Sequence, residues 1–311
     1  MANFLSRRVL QMLPVLVGIT LFSFVLIHLV PGNPVAIMVG GKAPPGVVRS
    51  ISHQLGLDRP LLTQYFDFVW HALQGNLGES IVLRRPVASV VGERIGASIF
   101  LLGYGSVIGM LVSLPLGIAS ARWRNRLPDH LIRLVSLIAF AMPSFWLALI
   151  LVRVFSLGLG WLPVSGYGQG FVGHIESLTL PAVTIGLFLA SMLIRALRST
   201  LIEVLDTEYI EAARARGASE RRVFFKHGLR NALIGMLTIL AVNLGFLIGG
   251  AVIVEQVFDI PGLGQLLIQS IFTRDFPTIQ ALALVFGVLV IVINLASDIA
   301  YAAIDPRVRL D

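Results

Sequence analysis

Residues 178–235 read LTLPAVTIGLFLASMLIRALRSTLIEVLDTEYIEAARARGASERRVFFKHGLRNALIG. The first part, Leu178 to Leu197, is apolar apart from Arg195 and a few hydroxyls. It is as long as the roughly 20 residues that carry a helix across the hydrocarbon core of a bilayer. Charge then crowds in from Arg198 to Arg230, and a second apolar run follows from Ala232 to Val254. Two apolar runs of spanning length joined by a strongly charged segment are the pattern of an integral membrane protein.

The same pattern extends outward. Further apolar runs lie at Val9–Val30, Ser98–Ser120, Leu134–Leu157 and Ile279–Ala303. The expectation is an all-α integral membrane protein of about six transmembrane helices. Composition agrees: of 311 residues, 56% are hydrophobic and 13% charged, and mean hydropathy is +0.85. Soluble domains carry about a quarter charged residues. The net charge of +7 therefore reads as basic residues flanking membrane spans, not as a nucleic-acid binder. Arg153 and Arg195 are expected near span ends, where long side chains reach the interface. Arg7 and Arg8 precede the first run, which is too long for a signal peptide and is followed by no small-x-small cleavage site, so it reads as a retained helix. The absence of cysteine excludes disulfides and thiolate metal sites.

Orientation follows from arginine and lysine. Arg7 and Arg8, then Arg122, Arg124, Arg126 and Arg133, then the stretch Arg195–Arg230, then Arg307 and Arg309 alternate with short segments that hold almost none. None lies between Gly158 and Ser177, and only Arg274 lies between Glu255 and Thr278. Both termini are expected in the cytoplasm. The long outer segment, residues 31–97, carries several basic residues but is long enough to escape the charge rule. Its runs Pro45–Leu55 and Leu61–Leu73 read as helices, broken after by Gly75, Asn76 and Gly78. A small helical cap outside the membrane is expected.

The charged segment, residues 201–231, reads as helix, corner, helix. Asp206 or Thr207 can cap a start, and Glu208 and Glu211 suit the first turn. Ala212, Ala213 and Ala215 form helix with almost no bulk. Gly217 fits the left-handed position after a helix end, and Ser219 can cap the next. Small side chains let such a helix sit deep in a groove of another protein, while an ordinary basic loop on anionic headgroups is the simpler alternative.

Glu211-Ala212-Ala213, three residues, then Gly217 resemble the EAA signature of permease subunits of ATP-binding-cassette importers. The resemblance implies that this segment is a coupling helix docking into an ATPase subunit, through Glu211, Ala212, Ala213 and Gly217, with Asp206, Tyr209 and Arg216 beside them. It departs from the family at His227 and Leu229-Arg230, and at Gly235, where peptide-type relatives usually have proline. Pro31-Gly32-Asn33-Pro34, QLGLDRPLLTQY from Gln54, GNLGES from Gly75, Arg85-Pro86-Val87, VIVEQVFDIPGLGQLL from Val252 and YAAIDPRVR from Tyr301 resemble the dipeptide, oligopeptide and nickel branch, with glutathione-type importers equally close. The resemblance implies one permease domain, 1–311, multi-pass in the cytoplasmic (inner) membrane of a prokaryote, importing peptides. Glutathione, nickel complexes or another small solute are alternatives. Implied partners are a second homologous permease, two ATPase subunits, an extracytoplasmic substrate-binding protein and lipid, with no nucleic acid.

No G-x-x-x-x-G-K-[ST] occurs; Gly40-Gly41-Lys42 is followed by Ala43. ATP and magnesium are therefore expected on partner subunits, with no cofactor, metal or catalytic residue on this chain. Ser165-Gly166 with His174 invites comparison with a hydrolase, but the glycine-rich surroundings read as a turn. Asn243, Glu255, Asn294 and Asp298 lie in or beside spans and are candidates for a pathway or an inter-helix contact. A secondary transporter or channel, which needs no ATPase, is the rival of a different class; no convincing internal repeat favours it.

Overall fold

The computed structural model describes residues 2–29, 44–54 and 58–304. The Pro31–Pro34 stretch and the closing residues 305–311 lie outside the described residues. The helices are α1 (Ala2–Leu29), α2 (Pro45–Gln54), α3 (Leu61–Leu73), α4 (Val87–Arg122) and α5 (Leu127–Ala141). After them come α6 (Ser144–Gly158), α7 (Gly170–Leu205), α8 (Glu208–Ala215), α9 (Glu220–Val257), α10 (Leu263–Thr273) and α11 (Phe276–Ile304). Beside them stands an isolated bridge, Glu79 to Pro86.

Among the described residues four helices are long and apolar enough to cross a membrane: α4, α7, α9 and Phe276–Ser297 of α11. The expected first span lies partly outside the described residues, and the apolar stretch found in α1 is Met12–Val25. The third expected span, Leu134–Leu157, needs correction. It is two helices, α5 and α6, bent by 106°. Pro143 is the cause. It has no N–H to give the preceding turn, and it forces Met142 out of the helical region, to φ −71 and ψ 130. Arg153 is exposed in the π-helical segment Val152–Gly158 that closes α6. Arg195 lies well before the end of α7, exposed, with its guanidinium 4.6 Å from the Phe140 ring centre.

The chain divides into two compact units, Met1–Gly96 with Gly262–Ile291, and Ala97–Pro261 with Val292–Asp311. In the first, Val87, Val90 and Val91 pack with Leu263, Leu266, Ala281 and Leu282. The Phe24 ring meets Tyr65 edge-on at 5.6 Å, and the Thr20 hydroxyl bonds the Tyr65 hydroxyl at 2.9 Å, joining α1 to α3. Buried Asp275 binds the loop before α4. It accepts from the Ser80 hydroxyl, from the Ile81 N–H at 3.2 Å and from the Thr278 hydroxyl at 2.8 Å.

In the second unit α7 is the central helix, with most of its apolar stretch buried inside the chain. It packs on α4 through small residues. A Cβ on Gly186 would stand 2.9 Å from the Gly105 carbonyl, and one on Gly109 would stand 3.1 Å from the Gly186 carbonyl. In lipid, where burial gives helices little reason to associate, such close approach lets van der Waals contact hold them.

Candidate functional site

The segment singled out in the sequence, residues 201–231, begins where α7 ends. Thr207 stands at the N-cap of α8 with extended φ −84 and ψ 152, but its side chain does not cap that helix. The hydroxyl instead donates to the Val204 carbonyl at 2.5 Å, closing the helix behind it. Ser219 likewise makes no side-chain cap to α9. Both residues stand at the expected N-cap positions, but neither side chain makes the capping bond; at Thr207 the hydroxyl serves a nearby carbonyl instead, as Ser and Thr hydroxyls can.

The α8 helix is held by one buried side chain, Ile210, which is 0% exposed. Glu211, Ala212 and Ala215 face outward, and Ala213 is half-buried. Its end is a Schellman turn. The Gly217 N–H donates to the Arg214 carbonyl at 2.9 Å and the Ala218 N–H to the Ala213 carbonyl at 3.2 Å, with Gly217 at φ +81. A Cβ at Gly217 would meet nothing within 4 Å. The glycine is needed here for its backbone angle, and the space around it is open.

Three polar links fasten this element to its neighbours. The Arg214 Nε–H donates to Glu220 at 3.0 Å across the corner. The Tyr209 hydroxyl donates to the His227 carbonyl at 3.3 Å and accepts from Asn231 at 2.8 Å. Arg124, in the turn after α4, donates to Asp206 at 2.8 Å. Glu211 and Arg216 are exposed and in no ion pair among the described residues. Their charges and the alanine face point outward from a small, well-tied helix.

The return helix α9 presses closely on α7. A Cβ on Gly228 would stand 2.8 Å from Leu205 Cδ2, Ala232 is fully buried, and a Cβ on Gly235 would stand 3.0 Å from the Thr200 hydroxyl. Gly235 therefore does not loosen the helix, which continues through it; the glycine is a contact point between helices. The departure from regular winding lies earlier, in the π-helical segment Val223–Leu229.

A further cluster was not read from the sequence. Asp129, at the start of α5, is 0% exposed. Arg198 of α7 binds it in a fork, Nε to Oδ1 and Nη2 to Oδ2, both at 2.7 Å. The Ser120 hydroxyl donates at 2.6 Å and the Asn125 N–H at 2.8 Å. With Arg124–Asp206, the turn between α4 and α5 is bound twice to the last part of α7, just ahead of α8. The sequence offers only a lone acid in the arginine-rich turn RWRNRLPDH, with nothing to name its partner.

Among the described residues, two of the polar span residues have separate partners. Glu255 is 1% exposed and accepts from the Ser98 hydroxyl at 2.6 Å. Asn243 donates to the Ile239 carbonyl of its own helix at 2.7 Å. Asn294 is exposed, and the side chain of Asp298 lies outside the described residues. His174, near the start of α7, is held by the loop before that helix. Its Nδ1 bonds the Tyr167 carbonyl at 2.7 Å and its ring stacks on Tyr167 at 4.0 Å.

Residues 113–310 match the family model described as binding-protein-dependent transport system inner membrane component, and residues 1–96 match its N-terminal companion. The chain is 40% identical over 309 residues to the glutathione transport system permease protein GsiC of Salmonella typhimurium, covering 99% of each chain. It is 39% identical to the protein of that name from Escherichia coli strain K12, again covering 99% of each. Among solved structures it resembles an inward-facing MetNI methionine ABC transporter, with a TM-score of 0.59 at 20% identity over 70% of this chain and 96% of the other. An amino acid ABC transporter gives 0.55 at 15% identity over 69% and 94%. At such identities these structures speak for the fold alone. With family models on both halves and near-complete relatives, the chain belongs to the family of binding-protein-dependent transport system inner membrane components.

Proposed function

We propose that this chain is the pore-forming subunit of an ATP-driven importer of small peptides in the inner membrane, and that α8 with its corner docks on the ATPase. The carrying observation is the form of α8: an outward alanine face ending in an open Schellman turn at Gly217, tied by Arg214 and Tyr209 to the start of α9 and by Asp206 to the turn after α4. Such a helix can enter a groove and pass a push to the spans without bending. Asp206, Tyr209 and Arg214 hold the element; Glu211, Ala212, Ala213, Arg216 and Gly217 meet the partner. The subunit is a permease, not itself catalytic. The missing phosphate-binding loop supports hydrolysis of ATP with magnesium on two partner ATPases. A second homologous permease would complete the pore, and an extracytoplasmic binding protein would deliver the solute to the cap.

Glutathione-type peptides are the preferred substrate, because the near-complete relatives are named for glutathione transport. Other peptides or nickel complexes would fit the same machine. The Ser98–Glu255 bond favours an inter-helix role for that carboxyl over contact with solute.

The test combines co-purification with uptake. The tagged chain should bring down nucleotide-hydrolysing subunits, and Glu211→Lys should abolish ATP-dependent uptake while the chain still inserts. Gly217→Ala strains only the backbone, by about 1 kcal/mol, whereas Gly217→Trp adds bulk at a position where a Cβ meets nothing within 4 Å. Uptake should survive in part with alanine and vanish with tryptophan. Normal uptake and assembly with both Glu211→Lys and Gly217→Trp would sink the docking role, and uptake driven by an ion gradient with no ATPase attached would favour a secondary transporter.

A further inference from the structure

We infer that a groove beside the α8 corner binds the phosphate headgroup of an anionic phospholipid. The cavity holds about 510 Å³ and lies within the second unit, where the ends of α4 and α7 meet α8 and the start of α9. Arg122, Arg214 and Arg221 line it, opposed by one carboxylate, Glu220. Glu220 is engaged with Arg214 at 3.0 Å. Arg122 and Arg221 are exposed and in no ion pair among the described residues. Two free guanidinium groups facing one cavity suit a phosphate, whose oxygens can take paired N–H bonds from each fork.

The remaining walls are apolar: Leu205, Phe224 and Phe225, the last 46% exposed. A free inorganic anion has no use for such walls, but the glycerol and first methylenes of a lipid do. The level also fits. Trp123, next to Arg122, is 41% exposed, and Leu127 beyond it is 70% exposed. An exposed tryptophan at the end of a membrane-crossing helix marks the interface where headgroups lie. Basic pockets between transmembrane helices at that depth favour anionic headgroups. The inference concerns lipid binding by this chain alone and stands apart from the importer reading.

The experiment is native mass spectrometry of the full chain in mild detergent, titrated with phosphatidylglycerol or phosphatidylethanolamine. Phosphatidylglycerol should bind about thirtyfold tighter, the effect of two arginines near a headgroup. Arg122→Gln and Arg221→Gln should each weaken it about fivefold, and the double variant should erase the preference. Arg126→Gln, in the same turn but outside the groove, should leave it intact. Unchanged elution and helical circular dichroism check folding; if the double variant does not fold, the two single variants decide. Equal binding of both lipids, or an equal loss with Arg126→Gln, overturns the site. Displacement of phosphatidylglycerol by inorganic phosphate at cellular concentration overturns the lipid and makes the ligand a free anion.

Discussion

Asp129 is out of reach of water yet stands in a turn rich in arginine. Its stability there rests on saturation: the Arg198 fork, the Ser120 hydroxyl and the Asn125 N–H occupy both carboxylate oxygens. Removing one member of a buried pair leaves the other desolvated and costs about 3–5 kcal/mol, while replacing both with apolar groups of similar size can be near neutral. Asp129→Ala and Arg198→Ala should therefore each lower the thermal unfolding midpoint of the chain in detergent. Asp129→Leu with Arg198→Met should recover most of the loss. If the double variant is as unstable as the sum of the singles, the pair is not acting as a unit. Gly217 was legible in the sequence because its cause is local, a helix-forming run that needs a left-handed end. Asp129 and Arg198 are 69 residues apart, and no periodicity links an acid in a turn with one arginine among many. The clasp was invisible for that reason, and so was the choice of Thr207 to bond backward to Val204.

At the scale of elements, apolar runs mark helices well and their breaks poorly. The run Leu61–Leu73 is a helix with those bounds, since its apolar spacing and the glycines after it are short-range signals. The run Leu134–Leu157 looked continuous because Met142-Pro143 is as apolar as its neighbours; only the missing N–H of proline marks the 106° bend. Close helix crossings were also hidden, because a glycine in a span does not announce what it faces. Gly186 and Gly103 make the contrast testable. A methyl on Gly186 would press on the Gly105 carbonyl and on Ile108 Cγ2, both at 2.9 Å, whereas one on Gly103 would meet nothing within 4 Å. Backbone cannot swing aside as a side-chain tip can. Gly186→Ala should destabilise the chain by about 1–3 kcal/mol, as overpacking does. Gly103→Ala should be neutral or slightly stabilising through helix propensity. Equal midpoints for the two variants in a thermal melt would mean that α4 and α7 do not touch there.

At the scale of the molecule, the lengths of the helices say how a cytoplasmic element could be carried. The α7 helix has 36 residues, about 54 Å at 1.5 Å per residue, against a hydrocarbon core of about 30 Å. Even with tilt, one end must project, and the end that bears Arg195, Arg198 and then α8 is the charged one. The projecting end is bound by Arg198–Asp129 and Asp206–Arg124 to the turn after α4, so both segments must lie on the same side. The opposite side should hold the loop between α6 and α7, which has no arginine or lysine from Gly158 to Ser177. The distribution of charge predicts that the first side is cytoplasmic. The chain has no cysteine, so a single introduced thiol is the whole labelling signal. Arg126→Cys and Ser165→Cys, both at exposed positions, place one probe on each side. With a membrane-impermeant maleimide, Ser165→Cys should react in spheroplasts and Arg126→Cys only in inverted vesicles. The reverse pattern would put α8 outside the cell, where no ATPase could reach it, and reactivity of both from one side would mean that α7 does not cross the membrane.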